Sequence, residues 1–159
     1  IHRFHPSSRV VLTDCESLLP QLEHNLAQNF PYSEDDDGNI ATTSPKLTAA
    51  TLDWSNDEDL SRLLRECGMR HDNNSFDVVL NCDCIYEPLY GESWKDLLKV
   101  QVALLQRKPE TVMLTSLERR KFDGADRYFA ALAEQSVVHK VELVHQDDPV
   151  EIYRIYGKV

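Results

Sequence analysis

The chain has 159 residues, of which 42% are hydrophobic and 28% charged, and its formal net charge is −10. That is one domain's length with apolar material for one core, and no run of about eighteen apolar residues is present to span a membrane. The acidity argues against nucleic acid, whose binders present a basic face, and suits a basic partner such as a lysine-bearing protein segment.

The opening "IHRFHPSSRV" has neither the basic-then-apolar layout of a signal peptide nor a starting Met, which points to a fragment. "RVVLTD" (Arg9 to Asp14) is a β-branched run that predicts a strand. "CESLLPQLEHNLAQNF" follows with Leu18, Leu19, Leu22 and Leu26 at helical spacing, and Pro20 falls in the first turn. Residues 31–46, "PYSEDDDGNIATTSPK", are acidic and rich in turn formers, and predict a mobile loop. "LTAATLDW" (Leu47 to Trp54) is a weaker strand. "SNDEDLSRLLREC" predicts a helix capped by Ser55 or Asn56, with Leu60, Leu63 and Leu64 as its apolar stripe.

"NSFDVVLNC" is the second strong strand, and a loop from Asp83 to Tyr90 separates it from the helix "ESWKDLLKVQVALLQR". A strand "ETVMLTSL" and a helix "ADRYFAALAEQSV" come next, the latter with Phe129, Leu132 and Ala133 inward. "HKVELVHQ" and "VEIYRIYGKV" close the chain as two strands turning at Asp147-Asp148-Pro149. The order β-α-β-α-β-α-β-α-β-β predicts an α/β domain with a mostly parallel sheet, helices on both faces and one antiparallel strand at its edge.

Cys15, Cys67, Cys82 and Cys84 form no CxxC pair. They are read as reduced thiols of an intracellular protein, cytoplasmic with the nucleus left open. The six histidines have no ligand spacing, so no metal site is expected. Glu118-Arg119-Arg120-Lys121 follows a strand and is read as solvated rather than as a substrate contact.

In open α/β sheets, ligands sit beyond the carboxyl ends of the strands. The first strand ends at Asp14, whose two oxygens match the vicinal hydroxyls of a ribose; capping the next helix is an equal alternative. The second offers Asp53 and Trp54, a ring able to stack on a purine or to sit in a core. The third offers Cys82, Asp83 and Tyr86.

"VVLTDCESLLPQLEHNLAQN", "LDW" and "FDVVLNCDCIYEPLYGESW", in this order, resemble the seven-strand, S-adenosylmethionine-dependent protein-lysine methyltransferases of the methyltransferase-like group. Members of that group modify chaperones and elongation factors. The resemblance covers nearly the whole chain and implies a Rossmann-like fold with a C-terminal antiparallel strand. It implies that Asp14 holds the cofactor ribose, that Asp53 and Trp54 flank the adenine, and that Cys82 lines the cofactor pocket through its backbone. Asp83 would face the methyl-transfer centre, and Tyr86 would wall the substrate channel.

The resembling fold has the strand order 3-2-1-4-5-7-6, with a glycine-rich turn after its first, central strand. The five glycines here lie at 38, 68, 91, 124 and 157, and no GxG occurs. Residues 1–159 are therefore expected to be a single, N-terminally truncated methyltransferase domain lacking that strand, with an opened or incomplete sheet. The predicted function is S-adenosylmethionine-dependent methyl transfer to a protein lysine by a monomer. Two alternatives are an enzyme of the same fold with another acceptor and an inactive methyltransferase-like binding module.

Overall fold

The computed structural model describes residues 8–30, 46–69, 71 and 74–158. The loop expected at 31–46 lies outside the described residues except for Lys46, which opens a strand. The first strand, β1 (Arg9–Asp14), has the expected bounds. A 3-10 turn, Glu16–Leu18, leads into α1 (Leu19–Asn29), where Pro20 occupies the first turn and forfeits no intrahelical bond. β2 (Lys46–Thr51) pairs parallel with β1, from Arg9 opposite Lys46 to Asp14 opposite Thr51.

β2 ends at Thr51, before Trp54, because the Asp53 carboxylate accepts the amide of Ser55 at 2.9 Å. Such a local side-chain bond draws the backbone out of the ladder and into a turn. α2 (Asp57–Glu66) then starts on Asn56, whose Oδ1 accepts the amide of Glu58 at 3.1 Å. Ser55 serves the turn instead. Leu63 and Leu64 of the predicted stripe are buried, and Leu60 is half-buried.

The chain divides into two compact units, Ile1–Leu63 and Leu64–Val159. The second unit contains β3 (Val78–Cys82), α3 (Glu87–Tyr90), α4 (Trp94–Arg107), β4 (Val112–Glu118), α5 (Ala125–Ala133), β5 (Val138–Asp147) and β6 (Val150–Gly157). α3 is one helical turn within a stretch the sequence had suggested was loop; Pro88 fits its start and Gly91 its end. The sheet order is β3-β4-β6-β5. β3 and β4 are parallel, and β6 is antiparallel to both of its neighbours.

The antiparallel strand is thus one position in from the edge, not at the edge. The reason is burial: β6 carries Ile155, 1% exposed, whereas β5 is half-buried at best. The two sheets reproduce the neighbours 3-2 and 4-5-7-6 of the expected order. Among the described residues, no strand pairs with the second edge of β1 or of β3.

The core of the second unit gathers Met113, Thr115 and Leu117 of β4, Ile155 of β6, Leu104 and Leu105 of α4, and Ala125, Tyr128 and Leu132 of α5. Strict alternation along β4 is the mark of a strand with one covered face. On α5 the inward set differs from expectation. Leu132 is buried, Phe129 is half-buried and packs on the Tyr153 ring at 4.0 Å, and Ala133 is exposed. Tyr128 takes the central place because its hydroxyl donates to Gln101 Oε1 at 2.7 Å, so the ring is buried with its polar tip satisfied.

Burial pushes the Tyr128 phenol up to about 12. The folded state therefore favours the neutral phenol, and the stability tied to it is complete below the unfolded value of about 10 and lost as pH rises towards 12. Between pH 9.5 and 11.5, urea unfolding of the native chain should lose ~2 kcal/mol more than that of Tyr128→Phe. Equal losses would show that the phenol ionises as freely folded as unfolded.

Candidate functional site

The first unit brings Asp14, Asp53 and Trp54 to the same end of two paired strands. The ladder continues past Thr51, with the Leu52 amide donating to the Asp14 carbonyl at 2.9 Å. Asp14 Oδ1 accepts the amide of Cys15 at 2.8 Å, and its other oxygen has no partner among the described residues. It does not cap the following helical turns, whose N-cap residues, Cys15 and Leu18, make no side-chain cap bond. Asp53 is exposed, and Oδ1 accepts both the hydroxyl of Ser55 at 2.7 Å and its amide. The Ser55 hydroxyl, and then the amide, hold the Asp53 carboxyl below the usual range. Trp54 is half-buried in the turn itself.

A residue that strand-end reasoning overlooked organises this turn. Asp59, 2% exposed, accepts the Asp53 amide at 2.9 Å through Oδ2 and the Asn56 side-chain amide at 2.8 Å through Oδ1. Arg62 lies 2.8 Å from the same Oδ1 and supplies its countercharge.

The second unit holds Cys82, Asp83 and Tyr86. Cys82 is exposed and ends β3 opposite Ser116. The Asp83 amide donates to the Ser116 carbonyl at 2.8 Å, and Asp83 then adopts a left-handed φ of 51°. Few non-glycine residues do so, aspartate being among the more tolerant, and such conformations gather at functional sites. The turn aims the carboxylate across at β4. Oδ1 faces the Glu118 amide at 3.4 Å, and Oδ2 accepts from the Arg120 guanidinium at 3.0 Å.

Arg120 also donates to Glu118 Oε2 at 2.7 Å, and its guanidinium lies 5.0 Å from the centre of the Tyr86 ring. The carboxylate of Asp83 and the face of Tyr86 thus converge on one cation. Hydrogen bonds to Glu118 and then to Asp83 raise the Arg120 pKa further above its already high range.

Glu118 is exposed, as the solvated reading expects, but Glu118, Arg119 and Arg120 are also ion-paired, and Arg119 and Arg120 are half-buried. Arg119 lies 2.7 Å from Asp126, 3.6 Å from Asp123 and 3.7 Å from Glu151. Glu118 is the last residue of β4, so the rule that searched the first three strand ends would have found it at the fourth.

Residues 1–135 match a family described as lysine methyltransferase. The chain belongs to the lysine methyltransferase family. Secreted RxLR effector protein 48 of Plasmopara viticola is 32% identical over 151 residues, covering 92% of this chain and 73% of its own length. A solved structure, a DUF574 family protein from Streptomyces avermitilis, superposes with a TM-score of 0.51 at 14% identity. It covers 99% of this chain and 67% of its own, and at that identity the likeness is one of fold.

The ends of β1 and β2 in this lysine methyltransferase family member carry one polar group, and the ends of β3 and β4 another. Each is held by its own ladder. Among the described residues no cluster of His, Cys, Asp and Glu has the form of a metal site, and no helix is long and apolar enough to cross a membrane.

Asp59→Ala should leave the Asp53 amide and the Asn56 side chain without an acceptor and cost ~1–3 kcal/mol. Urea unfolding measures that loss, and hydrogen exchange at the Asp53 amide should accelerate. Native exchange at this amide in the variant would remove Asp59 from the role.

Proposed function

We propose that this chain is the S-adenosylmethionine-dependent part of a protein-lysine N-methyltransferase, acting as a monomer in the cytoplasm on a lysine of a basic protein segment. The observation that carries this reading is the meeting of Asp83 and Tyr86 on a single cation, at 3.0 Å and 5.0 Å. A carboxylate and an aromatic face are what a lysine ammonium needs on entering a site.

The residues of the first unit fit the ribose and the adenine of the cofactor. Asp14 keeps one carboxylate oxygen without a partner among the described residues, at a strand end, and can accept a ribose hydroxyl. Asp53 and the apolar face of Trp54 would flank a purine. S-Adenosylmethionine would supply a methyl group on a sulfonium, an electrophile that needs an aligned, neutral amine and little else.

Positioning is the main service this chain can render. Asp83 would bind the incoming ammonium and hold the amine after its proton is lost. Tyr86 would cover the amine and exclude water, and partial desolvation lowers a lysine's pKa and releases that proton more readily. The chain's net charge of −10 favours approach of a basic segment.

Calorimetric titration of S-adenosylmethionine should give micromolar binding, weakened ~10–100-fold in Asp14→Ala, the loss of one hydrogen bond to a charged group. A folded chain that binds none favours the inactive binding module. Asp83→Asn should keep cofactor affinity and lower the rate of lysine methylation about 100-fold, by mass spectrometry of a basic acceptor protein. Methylation of another side chain or of a small molecule would instead favour the alternative acceptor.

A further inference from the structure

The site that Asp83 and Tyr86 would offer to a substrate lysine already holds a cation of the chain's own. We propose that the Arg120 side chain is the resting occupant of the acceptor site, and that a substrate amine enters by displacing it. The proposal deepens the reading of Asp83 and Tyr86 as the acceptor site and rests on it.

Arg120 occupies both halves of the site at once. Its Nη2 lies 3.0 Å from Asp83 Oδ2, and its guanidinium carbon lies 5.0 Å from the centre of the Tyr86 ring. The third contact, Nη2 to Glu118 Oε2 at 2.7 Å, keeps the guanidinium between two acids. With Arg120 in place, the trio of Asp83, Glu118 and Arg120 carries one net negative charge. With the side chain turned out, two carboxylates and an aromatic face stand open to a new cation.

Displacement needs only the side chain. The Arg120 amide donates to Asp123 Oδ2 at 3.0 Å, and Asp123 is 5% exposed. The backbone is therefore fastened to a buried acid while the guanidinium, on a side chain 31% exposed, reaches water. Ion pairs this exposed are individually weak and exchange readily with other cations. Apparent affinity for an external amine is then the intrinsic affinity reduced by the fraction of time the site is open. Arg120 would act as a selectivity element: an acceptor must outcompete a guanidinium, which favours cations and excludes neutral nucleophiles.

The test titrates n-butylammonium, of lysine side-chain length and charge, into the full chain, with n-butanol as the uncharged control. The Tyr86 ring resonances are followed by NMR. Arg120→Gln should bind the amine about tenfold tighter than the native chain, as for a site open about a tenth of the time. Arg120→Lys, which keeps a cation there, should stay near native affinity. Lys121→Gln removes the same charge from the adjacent exposed residue and should change little.

In the native chain, the Arg120 Nε–Hε resonance should shift as amine binds and stay unmoved by n-butanol. Equal affinity in the native chain and Arg120→Gln, or an Arg120 resonance unmoved while amine binds, would overturn the proposal. Failure of every folded variant to bind amine would overturn both this proposal and the acceptor-site reading. Lysine methylation, assayed in parallel, separates the two claims. Tighter amine binding in Arg120→Gln without methyl transfer upholds the occupied site and removes the enzyme reading. Methyl transfer with equal amine affinity does the reverse.

Discussion

The amide of Asp83 donates to the carbonyl of Ser116 at 2.8 Å, and the chemistry of the second unit hangs on that bond. It carries the parallel β3–β4 ladder one step beyond the Cys82–Ser116 pair. There the chain leaves the pleat at a φ of 51°, and the carboxylate swings towards the end of β4. A register slipped by one residue would send every β3 side chain to the opposite face. Asp83 and Arg120, 37 residues apart in sequence, would then not meet.

Two buried acids do for the loops what this ladder does for the strands. Asp59 fastens the turn after β2, and Asp123 fastens the one after β4 by accepting the amides of Arg120 at 3.0 Å and Ala125 at 2.9 Å. Each acid is compensated by two N–H donors and a nearby arginine, the condition under which a buried carboxylate is tolerable. They set the shape of the segments that carry Asp53, Trp54 and Arg120.

One glycine is decided by the same surroundings. Gly124 has a φ of 85°, and a Cβ there would come 2.5 Å from the Glu87 side chain. Without that Cβ, Glu87 lies against the start of α5, accepts the Trp94 indole N–H at 2.7 Å and pairs with Arg127. The single turn of α3 is thereby tied to α4 and α5, and Tyr86 at its N-cap is held facing Arg120.

The amino-acid sequence alone determined the alternation of strands and helices and the bounds of β1, because β-branched runs and leucine periodicity are local signals that packing seldom overrides. It also placed Asp14 and Cys82 at the ends of their strands, whereas β2 stops short of Trp54 because Asp53 turns the chain. Local signals did not reach the one-turn α3, where a proline and a glycine read as loop until Glu87 is seen held by Trp94 and Arg127. They did not place β6 inside β5, which depends on which of two similar strands has more apolar surface to bury. Nor did they show that Arg120 lies between Asp83 and Tyr86, or that Asp59 and Asp123 are buried. Those are contacts between residues distant in sequence or folded into one turn, and only the ladder register and the closing of the loops decide which charge meets which.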